Sequence, residues 1–121
     1  MARENAMKSS GELQVFKAQF FRALANPVRI RILEALLHGG QTVQALQEAL
    51  GLSQPIVSQQ LAILRNRGIV AAHKDGLSMR YTVRDPLVAD LLDVARRIFN
   101  NQFHTTRGLH RELQREQRRN L

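Results

Sequence analysis

The strongest constraint in this sequence is a connection of only three residues, Gly51, Leu52 and Ser53, between two stretches of helical apolar spacing. Upstream, Thr42 is suited to cap a short helix whose apolar stripe is Val43, Leu46 and Leu50. Gly51 then stands where a chain leaves a helix through the left-handed conformation, which a side chain disfavours. Downstream, Ser53 is a good N-cap and Pro55 sits in the first turn. Val57, Leu61 and Leu64 line a buried face until Gly68 ends the helix. Two helices joined across a glycine-containing turn make a helix-turn-helix.

The flanking segments extend this unit. Leu13, Phe16, Phe20 and Leu24 recur at three- and four-residue steps and predict a first helix over 12–24. Asn26-Pro27 reads as a cap followed by proline at the first helical position, and Val28, Ile30, Leu33, Leu36 and Leu37 carry a second helix to Gly39-Gly40. After Gly68 the period changes. Residues 69–73 and 78–83 are strand-like around a turn containing Asp75-Gly76, a β-hairpin or wing. Asp85-Pro86 repeats the cap-and-proline signal and opens a long helix bearing Leu87, Val88, Leu91, Leu92, Val94, Ala95, Ile98 and Phe99, with Phe103 at the edge of the pattern. Its stripe is broader than one hairpin can cover. The expected fold is mainly α with a small β-hairpin, in the order α-α-α-α-β-β-α: a winged helix-turn-helix. The expected organisation is a flexible N-terminal arm over 1–11, the winged domain with its dimerisation helices over 12–103, and a basic tail over 104–121 that frays or is disordered.

A length of 121 residues suits one domain. No apolar run approaches the roughly 20 residues of a membrane span, and the polar stretch 1–12 has no signal-peptide core, so the expected location is cytoplasmic, away from membranes. The chain has no cysteine, which excludes disulfides, thiolate metal sites and thiol redox sensing. Eighteen Lys and Arg against ten Asp and Glu give a net charge of +8, the footprint of a polyanion binder.

On the fourth helix the buried residues leave Pro55, Ile56, Gln59, Ala62, Ile63 and Asn66 on the outer side. Gln59 and Gln60 are suited to adenine edges, Ser53, Gln54 and Ser58 to phosphates or bases, and Ile56 to a thymine methyl. The helix N-terminus favours a phosphate. Lys74 and Arg80 flank the wing tip and suit phosphate or minor-groove contacts. The partner this implies is double-stranded DNA. His104 and His110, with Glu112, have the chemistry to bind Ni(II), Co(II) or Zn(II), but a six-residue spacing separates the two rings on a helix, so no metal and no cofactor is expected. With no cysteine nucleophile, no glycine-rich phosphate loop and no recognisable catalytic grouping, the chain does not read as an enzyme.

Three stretches in order resemble the ArsR/SmtB-type winged-helix repressors: residues 21–33, from Phe21-Arg22-Ala23-Leu24 through Asn26-Pro27-Val28 to Ile32-Leu33; residues 52–65, from Leu52-Ser53-Gln54-Pro55 to Leu64-Arg65; and Gly68-Ile69-Val70 with Gly76 and Tyr81 of the wing. The resemblance covers about 16–99. It implies a homodimer joined through the first and last helices, with Leu13, Phe16, Phe20, Leu87, Leu91, Leu92, Ala95, Ile98 and Phe99 at the interface. It further implies fourth helices in successive major grooves of an imperfect inverted repeat, with Gln54, Pro55, Ser58 and Gln59 nearest DNA. Arsenic- and cadmium-type members carry Cys-Val-Cys where this chain has Thr42-Val43-Gln44. Zinc- and cobalt-type members carry Asp-x-His at the start of the last helix, with a later pair of ligands. Here Asp85 remains, Leu87 replaces the histidine, and the later positions fall near Ile98 and Asn101. The expected function is sequence-specific transcriptional regulation, most simply repression, with no inducer legible. The competing readings are a winged-helix protein-interaction module and a DNA-compacting protein of low specificity.

Overall fold

A computed structural model describes residues 2–119, with side chains over 11–102 and 107–119. The chain divides into two units, Met1–Asp85 and Pro86–Leu121. The first contains α1 (Ala2–Leu24), α2 (Pro27–Leu36), β1 (Gln41–Thr42), α3 (Val43–Leu50), α4 (Gln54–Asn66), β2 (Val70–Asp75) and β3 (Ser78–Val83). The second is a single helix, α5 (Leu87–Arg119).

Local chemistry sets the helix boundaries. Asn26 is extended, and its Oδ1 accepts from the N–H groups of Val28 at 2.9 Å and Arg29 at 3.1 Å. Two donors that α2 cannot satisfy internally are thereby paired. Thr42 caps α3 in the same way, its Oγ1 accepting from the Ala45 N–H at 3.2 Å. Gly51 ends α3 at φ 66°, and its N–H bonds the Gln47 carbonyl at 2.8 Å. That left-handed residue turns the chain into α4 within the three-residue connection.

The core of the first unit is aliphatic. Ile32 and Leu33 of α2, Leu46 of α3, and Val57, Leu61 and Leu64 of α4 are completely buried, closed by Ile69 and Val70 at the entrance to β2. Each such side chain contributes roughly 1.5–3 kcal/mol by leaving water. These contacts fix the rotation of α4 about its own axis, and so decide which side chains face outward.

The sheet is antiparallel in the order β1-β3-β2. β2 and β3 pair from Val70 opposite Val83 to Asp75 opposite Ser78, and Gly76, at φ 64°, takes the first position of the two-residue turn between them. β1 adds a third strand, with Gln41 opposite Tyr81 and Thr42 opposite Arg80. Sequence periodicity predicts only the hairpin. Two residues are too few to show an alternation, so β1 is formed by tertiary pairing.

Both terminal helices are longer than their apolar stripes. α1 starts at Ala2 rather than Glu12, so the segment expected as an arm is helical from Ala2, and α5 continues through the arginine-rich segment to Arg119. Ala, Arg, Glu, Lys, Gln and Leu dominate these extensions and are strong helix formers without any stripe to bury. The division at Asp85-Pro86 falls inside the 12–103 segment that the sequence groups as one domain.

Candidate nucleic-acid interface

With Val57, Leu61 and Leu64 turned inward, the exposed side of α4 carries Gln54, Pro55, Ile56, Gln59, Ala62 and Asn66, with Ser58 and Ile63 half-buried at its edges. No residue of α4 is acidic. Gln59 is exposed and makes no hydrogen bond to a described residue, so its amide is uncommitted. The Gln54 Nε2 donates to the Ser58 Oγ at 2.9 Å, one helical turn on, which ties together two of the predicted contact residues. Ser53 holds the N-cap position, but its hydroxyl makes no cap bond. Asn26 and Thr42 each cap their helix with a side-chain hydrogen bond; α4 alone of these three has no side-chain cap on its first-turn N–H groups. Such groups, at the positive end of the helix dipole, suit an anion.

Gln60 is set apart from the other predicted contacts. It is half-buried, and its Oε1 accepts from Arg29 Nη1 at 2.8 Å. The same guanidinium donates from Nε to the Ala23 carbonyl at 2.6 Å and from Nη2 to the Arg22 carbonyl at 3.3 Å. Arg29 thus ties the end of α1 to α4, and Gln60 is the α4 end of that tie. Sequence reasoning did not single out Arg29. The available signal was its place three, four and seven residues before Ile32, Leu33 and Leu36, all buried, which puts a cation on the core-facing stripe of α2.

The wing separates its two cations. Cross-strand partners share a face, and successive residues alternate. Arg80 therefore lies with His73 and Asp75, and Lys74 with Met79 and Tyr81 on the other face. Arg80 Nη1 is 3.7 Å from Asp75 Oδ2, with both side chains at least half exposed. At the root of the wing Arg80 crosses Gly40 so closely that a Cβ there would lie 2.8 Å from its Nε.

The residues assigned to the dimer interface leave much apolar surface uncovered on a single chain. On α1, Leu13 and Phe16 are 53% and 67% exposed, and Phe20 stacks edge-on against Phe21 with centroids 5.7 Å apart. On α5, Leu87, Ile98 and Phe99 are exposed, while Leu91, Leu92 and Ala95 are half-buried. The polar side of that helix carries Asp93, which pairs with Arg96 at 2.6 Å and Arg97 at 3.3 Å. Among the described residues no three His, Asp or Glu side chains converge as a metal site would require. His110 Nε2 lies 3.0 Å from Gln114 Nε2, and the His104 side chain falls outside the described residues. No described helix is long and apolar enough to cross a membrane.

Residues 26–72, from the cap of α2 into β2, match the family described as bacterial regulatory protein, arsR family. The uncharacterised HTH-type transcriptional regulator Rv0081 of Mycobacterium tuberculosis is 46% identical over 90 residues, covering 74% of this chain and 79% of that one. The crystal structure of Rv0081 superposes with a TM-score of 0.71 at 43% identity, covering 76% of this chain and 93% of that one. The chain belongs to the ArsR family of bacterial regulatory proteins. This ArsR-family chain is also 48% identical to the probable mercury resistance operon repressor of Streptomyces lividans over 79 residues, 65% of this chain and 63% of that one. It superposes on the homodimeric winged helix-turn-helix DNA-binding domain Mb0332 of Mycobacterium bovis with a TM-score of 0.72 at 28% identity, covering 78% of this chain and 87% of that one. As an ArsR-family winged helix-turn-helix protein it is a DNA-binding transcriptional regulator.

Proposed function

We propose that this protein represses transcription by binding an imperfect inverted repeat as a homodimer, with one α4 in the major groove of each half-site. The observation that carries the reading is the outer face of α4. It is exposed, free of acidic residues and without a side-chain cap at its N-terminus, and it presents the uncommitted amide of Gln59 beside Gln54, Pro55, Ile56 and Ser58. Gln59 is the base reader, through the paired donor and acceptor that an adenine edge matches. Ser53 and the first-turn N–H groups hold a phosphate. Lys74 and Arg80 position the wing from opposite faces, and Gln60 supports α4 through Arg29 rather than reading a base.

Homodimerisation through α1 and α5 is supported by the large apolar residues exposed on each helix, Leu13 and Phe16 on α1 and Leu87, Ile98 and Phe99 on α5, because exposed apolar faces mark interaction sites. It is supported also by the homodimeric state named for Mb0332. Repression follows the name of the Streptomyces lividans relative. That relative's mercury response does not carry over by a thiolate route, since this chain has no cysteine.

The test is selection of bound sequences from a random duplex pool at about 150 mM salt, where purely electrostatic binding is already weak. An enriched inverted repeat with half-sites about one helical turn apart is the expected outcome. Binding with no enriched motif would replace this reading with DNA compaction. Absence of binding at any salt would replace it with a protein-interaction role.

A further inference from the structure

We propose that the distal part of α5 is a second DNA-contacting surface, in which a stripe of arginines holds duplex phosphates additional to those met by α4. This rests on the reading that the chain binds duplex DNA. Arg107, Arg111, Arg115, Arg118 and Arg119 all lie within the continuous helix α5. At 3.6 residues per turn they fall in one arc of about 120°. Thirteen residues at a 1.5 Å rise extend the stripe along about 18 Å, a length that faces about five phosphates of one DNA strand. Guanidinium groups are the side chains best matched to phosphate, because their forked donors bond two oxygens at once.

Six of the seven arginines of α5 fall into two sets. Arg96 and Arg97 are both paired with Asp93. Arg111, Arg115, Arg118 and Arg119 make no ion pair with any described residue, although Glu112 and Glu116 lie on the same segment, about 20° and about 60° beyond the arc. Four of the stripe's five members are spaced at i, i+4, where like charges repel and weaken an isolated helix. The helix dipole favours cations only in the last turn, which accounts for Arg118 and Arg119 and not for the rest. A polyanion laid along the arc relieves the repulsion over its whole length. The opposite side of this segment carries just Leu109 and Leu113 as large apolar residues, a narrower face than a helix lying in a lipid surface needs.

The experiment compares the full chain with a variant bearing Arg111→Gln, Arg115→Gln, Arg118→Gln and Arg119→Gln, and with a second bearing Lys at the same four positions. Affinities are measured between about 50 and 300 mM salt on the selected site alone and on the same site extended by about 15 base pairs at each end, a range over which phosphate contacts dominate the slope. The full chain is expected to bind the extended duplex more tightly and with the steeper salt dependence. The Gln variant should lose that gain, its slope falling by about 0.9 for each phosphate contact removed, while its preference for the site over scrambled DNA stays unchanged. The Lys variant should keep most of the slope. Equal slopes for the full chain and the Gln variant on the extended duplex would overturn the proposal. So would a slope lost equally with Lys, or a Gln variant impaired only toward vesicles of phosphatidylserine and phosphatidylcholine. Failure of the full chain to bind any duplex would instead overturn the DNA-binding reading beneath it.

Discussion

Gln59 and Gln60 are adjacent and chemically identical, yet the geometry gives them different work. Gln59 points outward with its amide free, whereas the oxygen of Gln60 is occupied by Arg29 at 2.8 Å. Gln59→Ala should therefore weaken binding to the selected site by about 1–3 kcal/mol and leave affinity for random DNA and the unfolding midpoint unchanged. Equal losses on both DNAs, measured by titration, would remove Gln59 from base reading. Gln60→Ala takes an acceptor from a half-buried guanidinium, where a bond to a charged group is worth about 1.5–3 kcal/mol. Its expected signature is reversed: a lower midpoint in urea with the ratio of specific to random binding preserved. Asn26→Ala leaves two donors of α2 without their partner and should cost about 1 kcal/mol in the same assay, with DNA preference unaffected.

At the scale of elements, the wing is tied to the body of the first unit where Arg80 and Thr82 cross Gly40, beside the pairing of β1 with β3. A methyl at position 40 would stand 2.8 Å from Arg80 Nε and 2.9 Å from Thr82 Cγ2, closer than side chains normally approach. Gly40→Ala should consequently destabilise the protein by about 1–3 kcal/mol, as overpacking does. Adding Arg80→Ala should recover part of that loss, because it removes one of the two obstacles. Thermal melts of the single and double variants form the cycle, and strict additivity would mean that the two residues do not meet. This contact was not legible in the sequence, where Gly40 reads simply as the second glycine of a helix stop. The helix-turn-helix was legible because its signals are local: the caps at Asn26 and Thr42, the left-handed Gly51, and the stripe Val57, Leu61, Leu64 all act within a turn or two of chain. What periodicity cannot convey is pairing between distant segments. It missed β1, whose two residues show no pattern, and it put Gln60 beside Gln59 because no wheel reveals a partner 31 residues away. It also grouped Lys74 with Arg80, since the register that sends them to opposite faces is fixed only when the hairpin closes.

For the whole molecule, the decisive quantity is how strongly two copies are coupled on one DNA. A single α4 offers few base contacts, so high affinity for an inverted repeat requires that binding of one copy raises the effective concentration of the other, a gain of about 10² to 10⁴ when both are linked. In the proposed assembly that link is apolar surface exposed on the isolated chain, including Ile98 at 50% and Phe99 at 62% exposure on α5. These two positions make a clean test because water already reaches them in the single chain. Charges placed there cost the monomer little, whereas an unpaired charge carried into an interface costs several kcal/mol. Ile98→Glu with Phe99→Glu should leave the thermal midpoint of the helix-turn-helix unit nearly unchanged. Sedimentation should show monomers, and affinity for the selected inverted repeat should fall by at least about 100-fold toward that for a single half-site. The Gln variant of distal α5 should do the opposite, keeping the dimer and losing part of its salt dependence on the extended duplex. A monomeric Ile98→Glu/Phe99→Glu chain that still bound the full repeat tightly would place the coupling in the DNA, through deformation shared between half-sites, and would remove the α5 surface from the mechanism.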